Sequence, residues 1–175
     1  VIGAGPIGCM LTWAAHAMGA NKVILTQRSR SRMEAAAAAS PDVLICTEDE
    51  NAVDRVMQET GGEGADLVLT AAPSVEAQAE ALRMVRTRGR VNFFAGLPVG
   101  GPPASLDTNI IHYRECTVQG AHGATPRHHR AAVGMIARGT IPVGRLITHE
   151  WSLDETPEAV RAAEDRRGMK MIVHI

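Results

Sequence analysis

The stretch VIGAGPIG, residues 1–8, decides the fold of this 175-residue chain. Two apolar residues lead into Gly3, Gly5 and Gly8, which fit the pattern G-x-G-x-x-G. The setting strengthens the pattern, because it ends a strand-like run and opens a helix-like one within a unit of about 30 residues. Pro6 suits the first position of that helix, and Gly19 suits its end. The stretch therefore predicts a strand–turn–helix unit of the kind that binds dinucleotide phosphates.

Each glycine of this loop has its own predicted role. Gly3 permits the tight turn, Gly5 lets the backbone approach a pyrophosphate, and Gly8 lets the helix pack closely on the sheet. Because Pro6 has no N–H, the donors to the phosphates are expected from Ile7 and the residues after it. A glycine turn that holds no ligand is the alternative interpretation.

Beyond the loop, strand-like and helix-like stretches alternate along the chain. The strand-like stretches are continuously apolar, which is typical of a parallel sheet covered on both faces. We expect six of them, at residues 1–5, 22–26, 42–46, 65–72, 89–96 and 115–121. This order predicts an α/β fold, a doubly wound six-stranded parallel Rossmann sheet over residues 1–144 with a truncated first strand. Residues 145–175 are expected to form a separate strand–helix–strand segment.

Composition and charge exclude several classes of function. The formal net charge of −1 and the 3% of aromatic residues argue against a nucleic-acid partner. No apolar run reaches the roughly 20 residues that a membrane helix needs, and no signal peptide is visible. Cys9, Cys46 and Cys116 are widely spaced, as expected of reduced thiols. We therefore expect a cytoplasmic protein with neither a nucleic-acid nor a membrane partner.

The end of the second predicted strand indicates which dinucleotide binds. An NAD site usually carries Asp or Glu at this position, but this chain has Gln27, with Arg28 beside it and Arg32 one helical turn on. Gln27 does not repel a 2′-phosphate, and each arginine can form charge-assisted hydrogen bonds to it worth roughly 1.5–3 kcal/mol. NADP(H) is therefore predicted over NAD(H). The alternative is that Arg28, Arg30 and Arg32 form an ordinary solvated helix start.

The chain resembles the medium-chain dehydrogenase/reductase superfamily, and within it the zinc-dependent sorbitol (iditol) and threonine dehydrogenases. The resemblance is carried, in order, by VIGAGPIG (1–8), GGEGADLVLTAA (61–72), LRMVRTRGRVNFFAGLP (82–98), IHYRECTVQGAHGATPRHHRAA (111–132) and GTIPVGRLITHEWSLDETPEAV (139–160). It runs through almost the whole chain and is therefore more specific than the glycine loop alone. The acidic residue usual in this group at the position of Gln27 is absent, which supports NADP.

The resemblance implies a set of cofactor-binding residues at the carboxyl ends of the strands. Ile7 would touch the nicotinamide, and Ala71 and Ala72 would line the cleft. Lys170 would reach the pyrophosphate. The backbone that would meet the nicotinamide is that of Ala95, Gly96, Leu97, Gly120, Ala121 and His122.

The resemblance also implies an activity. The whole enzyme would transfer a hydride between NADP(H) and a secondary alcohol or ketone, with a small alcohol or polyol as substrate, and would form a homodimer or homotetramer. Its catalytic zinc would be held by a preceding domain, so this chain is expected to be the cofactor-binding portion, without catalytic or zinc-ligating residues and inactive alone. Two alternatives stay open: a zinc-free quinone or enoyl reductase of the same superfamily, and a nucleotide-sensing domain without chemistry.

Overall fold

A computed structural model describes the whole chain, Val1–Ile175. Its helices are α1 (Pro6–Ala17), α2 (Met33–Ala37), α3 (Ala52–Glu59), α4 (Val75–Met84), α5 (Thr108–Tyr113), α6 (Pro126–Ala137) and α7 (Thr156–Glu164). Its strands are β1 (Ile24–Gln27), β2 (Val43–Cys46), β3 (Ala65–Leu69), β4 (Val85–Phe93), β5 (Thr117–Gly120), β6 (Ile147–Ser152) and β7 (Lys170–His174). Short 3₁₀ segments lie at Arg30–Arg32, Val143–Leu146 and Leu153–Glu155. No helix combines the length and the apolar character needed to cross a membrane.

Ile2 joins the two parts of the main parallel sheet. β1 pairs with β2, and β3, β4 and β5 pair in that order, all in parallel. Ile2 forms parallel bridges to Thr26 of β1 and to Thr70, the residue after β3. The order is therefore β2, β1, Ile2, β3, β4, β5, which confirms the predicted doubly wound α/β fold. The first of the six predicted strands is reduced to this single bridging residue.

A cleft of about 590 Å³ opens beside Val1, between the amino-terminal ends of β1 and β3. Ile24, Val56, Leu67 and Met84 lie in its walls. The Val1 amino group donates a hydrogen bond of 2.7 Å to the carbonyl oxygen of Ile24, the bond that a strand amide would make there. The cleft is thus a gap in the sheet on the side away from the glycine loop, and it is no candidate for a dinucleotide site, which belongs at the carboxyl ends of the strands.

Two hydrophobic cores cover the two faces of the sheet. One packs α3 and α4 against Ile45 and Val91, both fully buried. The other packs α1 and α2 against Leu25, and it also takes in Leu146 and Met169 from the C-terminal residues. The C-terminal segment therefore shares a core with α1, which brings it close to the start of that helix.

The C-terminal segment forms its own small unit. β6 and β7 pair in parallel as a separate two-stranded sheet, and α7 connects them. This agrees with the strand–helix–strand expected after the main sheet. The boundary between residues 144 and 145 stays a prediction.

Two further elements differ from the sequence prediction. The sequence predicts one helix over residues 29–39, but this stretch forms the Arg30–Arg32 3₁₀ segment followed by the five-residue α2. Here the backbone N–H of Arg30 donates to the Glu48 carboxylate at 2.9 Å, a contact made outside the helix. β4 begins at Val85 rather than at Gly89, because Val85 already pairs with Ala65 across an irregular stretch of the ladder.

Candidate functional site

The glycine loop, residues 3–8, connects Ile2 to α1 at the carboxyl edge of the sheet. Gly3 has φ of +96°, a conformation that side chains disfavour, and a Cβ on it would lie 3.0 Å from the Cβ of Ala72. A Cβ on Gly8 would lie 1.8 Å from the carbonyl oxygen of Gly3. A Cβ on Gly5, in contrast, would meet nothing within 4 Å. Two of the glycines are therefore required by the protein's own packing, and Gly5 borders open space.

The start of α1 faces this open space with unsatisfied backbone groups. The N-cap residue Gly5 offers no side-chain cap, and the first N–H groups of a helix have no partner within the helix. The first backbone hydrogen bond of α1 is donated by the Cys9 N–H to the carbonyl oxygen of Gly5, at 3.0 Å. The N–H groups of Ile7 and Gly8 are thus available to an anion, which the helix dipole also favours. The side chain of Ile7 is 40% exposed beside them.

Gln27 is tied to the glycine loop. Its Oε1 accepts a hydrogen bond of 3.3 Å from the backbone N–H of Ala4, so a neutral carboxamide stands at the end of β1. The neighbouring Arg28 is exposed and has no ion-pair partner. Arg30, in contrast, is paired with Asp49. Arg28 is therefore the free cation next to Gln27.

Arg32 contacts the C-terminal segment. Its Nη2 lies 3.4 Å from the carbonyl oxygen of Gly168 and 3.4 Å from the Sδ of Met169. The structure thus places Arg28 and Arg32 in different surroundings. Their joint contact with one 2′-phosphate stays a prediction.

The ends of β3, β4 and β5 meet at the same edge as the loop. The Ala71 N–H donates to the Ile2 carbonyl oxygen at 2.7 Å, and the Ala95 N–H donates to that of Thr70 at 2.8 Å. Phe93 is the register partner of Gly120. Of the predicted nicotinamide contacts, Ala95 and Leu97 are half-buried and Gly96, Gly120, Ala121 and His122 are exposed. The structure therefore places Ala71, Ala95 and Gly120 at one edge of the sheet, and the role of the predicted residues at these strand ends stays a prediction.

Lys170, predicted to contact a pyrophosphate, lies at the start of β7 and lines a cavity of about 340 Å³. Pro6 and Arg32 line the same cavity, so the C-terminal segment reaches the start of α1. Arg166 also lines it, although the sequence did not predict a binding role for this residue. No local sequence motif indicates a binding role for Arg166, because its position in the cavity depends on how the C-terminal segment packs.

The chain contains no group of three His, Cys, Asp or Glu side chains that could hold a metal ion. Its three cysteines are all buried. Burial raises the pKa of the Cys9 thiol, with Arg32 acting weakly in the opposite direction, so this thiol stays protonated at neutral pH. The residues of this chain therefore do not fit a zinc site.

Comparison with known proteins identifies the family. Residues 6–138, more than half of the chain, match the family of zinc-binding dehydrogenases. The chain belongs to this family. It is 34% identical over 157 residues to an L-threonine 3-dehydrogenase of Bacillus licheniformis, covering 89% of this chain and 44% of that protein. It is 30% identical over 181 residues to a sorbitol dehydrogenase of Bombyx mori, covering 100% of this chain and 50% of that protein.

A solved structure agrees with these relatives. The crystal structure of a zinc-binding dehydrogenase from Sinorhizobium meliloti 1021, bound to NADP, matches with a TM-score of 0.83 at 27% identity, over 91% of this chain and 46% of that one. The resemblance to the sorbitol and threonine dehydrogenase group is thus confirmed, and the family is that of the zinc-type alcohol and polyol dehydrogenases. The chain spans about half the length of the curated relatives it matches.

Proposed function

We propose that this chain binds NADP(H) and forms the cofactor-holding portion of a zinc-type alcohol or polyol dehydrogenase. The observation that carries the proposal is the glycine loop at the carboxyl edge of the sheet. There Gly3 and Gly8 are fixed by packing, Gly5 borders open space, and α1 starts without a side-chain cap. This arrangement leaves a cradle for phosphate oxygens that a Cβ at Gly5 would fill.

The phosphate end of the cofactor would rest on the start of α1. The N–H groups of Ile7 and Gly8 would donate to the pyrophosphate oxygens, since Pro6 has no N–H to offer. Gln27, held by the Ala4 N–H, places no negative charge beside the adenosine ribose. Arg28, without an ion-pair partner of its own, would donate to the 2′-phosphate of NADP. The nearby Glu48 and Asp49 are both engaged by Arg30, which limits their repulsion of that phosphate.

The nicotinamide end would lie over the ends of β3, β4 and β5. When bound, the nicotinamide would accept a hydride from the carbinol carbon of a small alcohol or polyol, or donate one to the carbonyl carbon of the corresponding ketone. Ala71, Ala72 and Ile7 would pack against the ring and exclude water from its face. The backbone at Ala95, Gly96, Leu97, Gly120, Ala121 and His122 would fix its orientation. The zinc implied by the family name finds no ligand set in these residues, so we propose that its ligands lie outside this chain and that the chain alone is inactive.

The choice of cofactor is tested by comparing NADPH and NADH affinities of the purified protein with those of two single variants. Arg28→Ser removes the free cation, and Arg30→Ser is the matched control because Arg30 is already paired with Asp49. We expect NADPH to bind more tightly than NADH. Arg28→Ser should lower the affinity for NADPH about tenfold or more, the effect of losing one charge-assisted hydrogen bond, and should change the affinity for NADH little. Equal affinities in the unmodified protein, or tighter NADH, would contradict the proposal.

A further inference from the structure

We propose that Arg166 binds the pyrophosphate of the cofactor. Together with Arg32 and Lys170, it would form an anion pocket at the start of α1. This inference rests on the proposed function and extends it, because it adds a cofactor contact from the C-terminal segment. The ligand group is the diphosphate that a dinucleotide carries between its two ribose units. The 2′-phosphate of NADP is the competing source of the same chemistry, and a comparison of several nucleotides separates the two.

The pocket is a cavity of about 340 Å³ between three parts of the chain. Pro6 belongs to the first turn of α1, and Arg32 is the last residue of the 3₁₀ segment. Arg166 lies between α7 and β7, and Lys170 is the first residue of β7. Three side chains in its wall are therefore cationic, and none is a carboxylate. A cavity of this composition, directly beside the uncapped start of α1, selects an anion over a neutral group.

The three cations have no negative partner within the protein. Arg32, Arg166 and Lys170 are in none of its ion pairs. On the same segment the neighbouring Arg167 is paired with Asp165 at 2.7 Å. No carboxylate of the protein therefore competes with an incoming anion for these three side chains. A diphosphate supplies the missing charge together with several acceptor oxygens.

The backbone of Arg166 gives a second, independent reason to look for a role of its side chain. Arg166 has φ of +54°, the left-handed conformation that favours glycine. It lies in the turn that ends α7. The Arg166 N–H donates to the carbonyl oxygen of Ala163 at 3.1 Å, and the Arg167 N–H donates to that of Ala162 at 3.0 Å. Glycine is the usual residue at such a helix end. Arg88, also left-handed, is held by an ion pair to Glu115 of 2.7 Å, and Arg166 has no comparable partner.

The strained backbone makes Arg166→Gly an informative variant. It removes the cation and relieves the left-handed strain, so we expect the melting temperature to stay equal or rise while cofactor affinity falls. The matched control is Arg167→Met, which removes an adjacent exposed cation that is not in the pocket wall. Dissociation constants for NADPH, NADH, ADP and adenosine are measured by calorimetric titration of the purified protein and both variants.

We expect Arg166→Gly to lower the affinities for NADPH, NADH and ADP by the same factor, about tenfold, and to leave the affinity for adenosine unchanged. A tenfold loss is at the lower end of the range for one charge-assisted hydrogen bond. The dissociation constants of Arg167→Met should stay within about twofold of those of the unmodified protein. Unchanged NADPH and NADH affinity in Arg166→Gly would overturn the inference and leave the proposed function standing. A loss confined to NADPH would also overturn it, because Arg166 would then contact the 2′-phosphate. An unmodified protein that binds neither dinucleotide would overturn both proposals.

Discussion

Gly8 and Gly5 show, at the scale of single residues, how one motif combines packing with binding. A Cβ at Gly8 would overlap the carbonyl oxygen of Gly3, which is backbone and cannot rotate aside, whereas a Cβ at Gly5 would enter empty space. The backbone of Gly5, with φ of −71°, is also open to any residue. Of these two glycines, Gly8 is therefore required by the fold, and Gly5 would be required only by a ligand.

This difference predicts unequal effects of the same substitution on stability. Gly8→Ala should lower the free energy of unfolding by about 1–3 kcal/mol, as overpacked positions do, because the loop and α1 must move apart. Gly5→Ala should leave it nearly unchanged, since the reduced freedom of the unfolded chain is offset by alanine being a poorer N-cap than glycine. Urea unfolding of both variants without cofactor checks this. Equal stability of Gly8→Ala and the unmodified protein would show that the loop is not packed as described.

The placement of Arg32 and Arg166 at the edge of the site could not be predicted from the sequence. The motif predicted the loop, its role at the edge of the sheet and the position of Gln27, because these depend on neighbours within one strand–turn–helix unit. The direction of Arg32 was not predictable, since it is set by Gly168 and Met169, more than 130 residues away. Arg166 was missed for the same reason: only the packing of the C-terminal segment brings it to α1.

At the scale of elements, the amino group of Val1 affects how stability depends on pH. The Val1 amino group occupies the place of a strand amide and donates to Ile24. Burial lowers the pKa of this amino group from 8.0 to about 5. The charged side chains around the adjoining cleft are those of Lys22, Glu59, Glu63, Asp66 and Arg86, of which Lys22 and Glu59 pair with each other, as do Asp66 and Arg86.

A chain that begins at Val1 should therefore lose stability as the pH falls from 8 to 5. In this window the unfolded chain binds a proton at the amino group and the folded chain does not, so unfolding takes up a proton. The contribution of this amino group to the free energy of unfolding should fall by up to about 4 kcal/mol and be lost below pH 5. Below that pH, further loss comes from carboxylates such as Glu59, whose pKa is lowered by its hydrogen bonds to Arg55 and Lys22. Urea unfolding at several pH values, with an N-terminally acetylated chain as control, measures it. A parallel loss of stability in the acetylated and free chains would show that the amino group is not buried in the gap.

The strands and helices themselves were predicted where local signals are strong. α1 begins at Pro6 as expected, and α4 begins after Ser74, whose hydroxyl oxygen accepts a hydrogen bond of 3.1 Å from the Ala77 N–H. The alanine-rich stretch was predicted as one long helix because alanine favours helix everywhere. Its first turn is instead drawn toward Glu48 and Asp49, which follow β2, and no local pattern records that contact.

At the scale of the whole molecule, one surface of the main domain is left without cover. α6 buries none of its residues, and its Val133 and Ile136 are 65% and 43% exposed. β5, next to α6 in sequence, is one of the two edge strands of the sheet. Open strand edges and exposed apolar side chains are surfaces on which protein chains associate. We propose that a second copy of the protein covers this surface, in a homodimer or homotetramer.

A charge on this surface should then break the assembly. Val133→Asp places a carboxylate among the exposed apolar side chains of α6 and should shift the mass measured by light scattering from the oligomer to the monomer. Ala131→Asp is the control, because two residues of helix turn its exposed side chain about 200° from Val133 and it adds the same charge. A monomeric unmodified protein, or equal masses of the two variants, would contradict this interface.

The measurement that tests the central claim most directly is the NADPH dissociation constant of the unmodified protein and of Gly5→Ala, by calorimetric titration. The cradle beside Gly5 predicts saturable binding at one site per chain, weakened at least tenfold by the added methyl group, with the melting temperature of the cofactor-free protein unchanged. Absence of NADPH binding to the folded protein, or equal affinity of the two, would show that the glycine loop does not hold a dinucleotide.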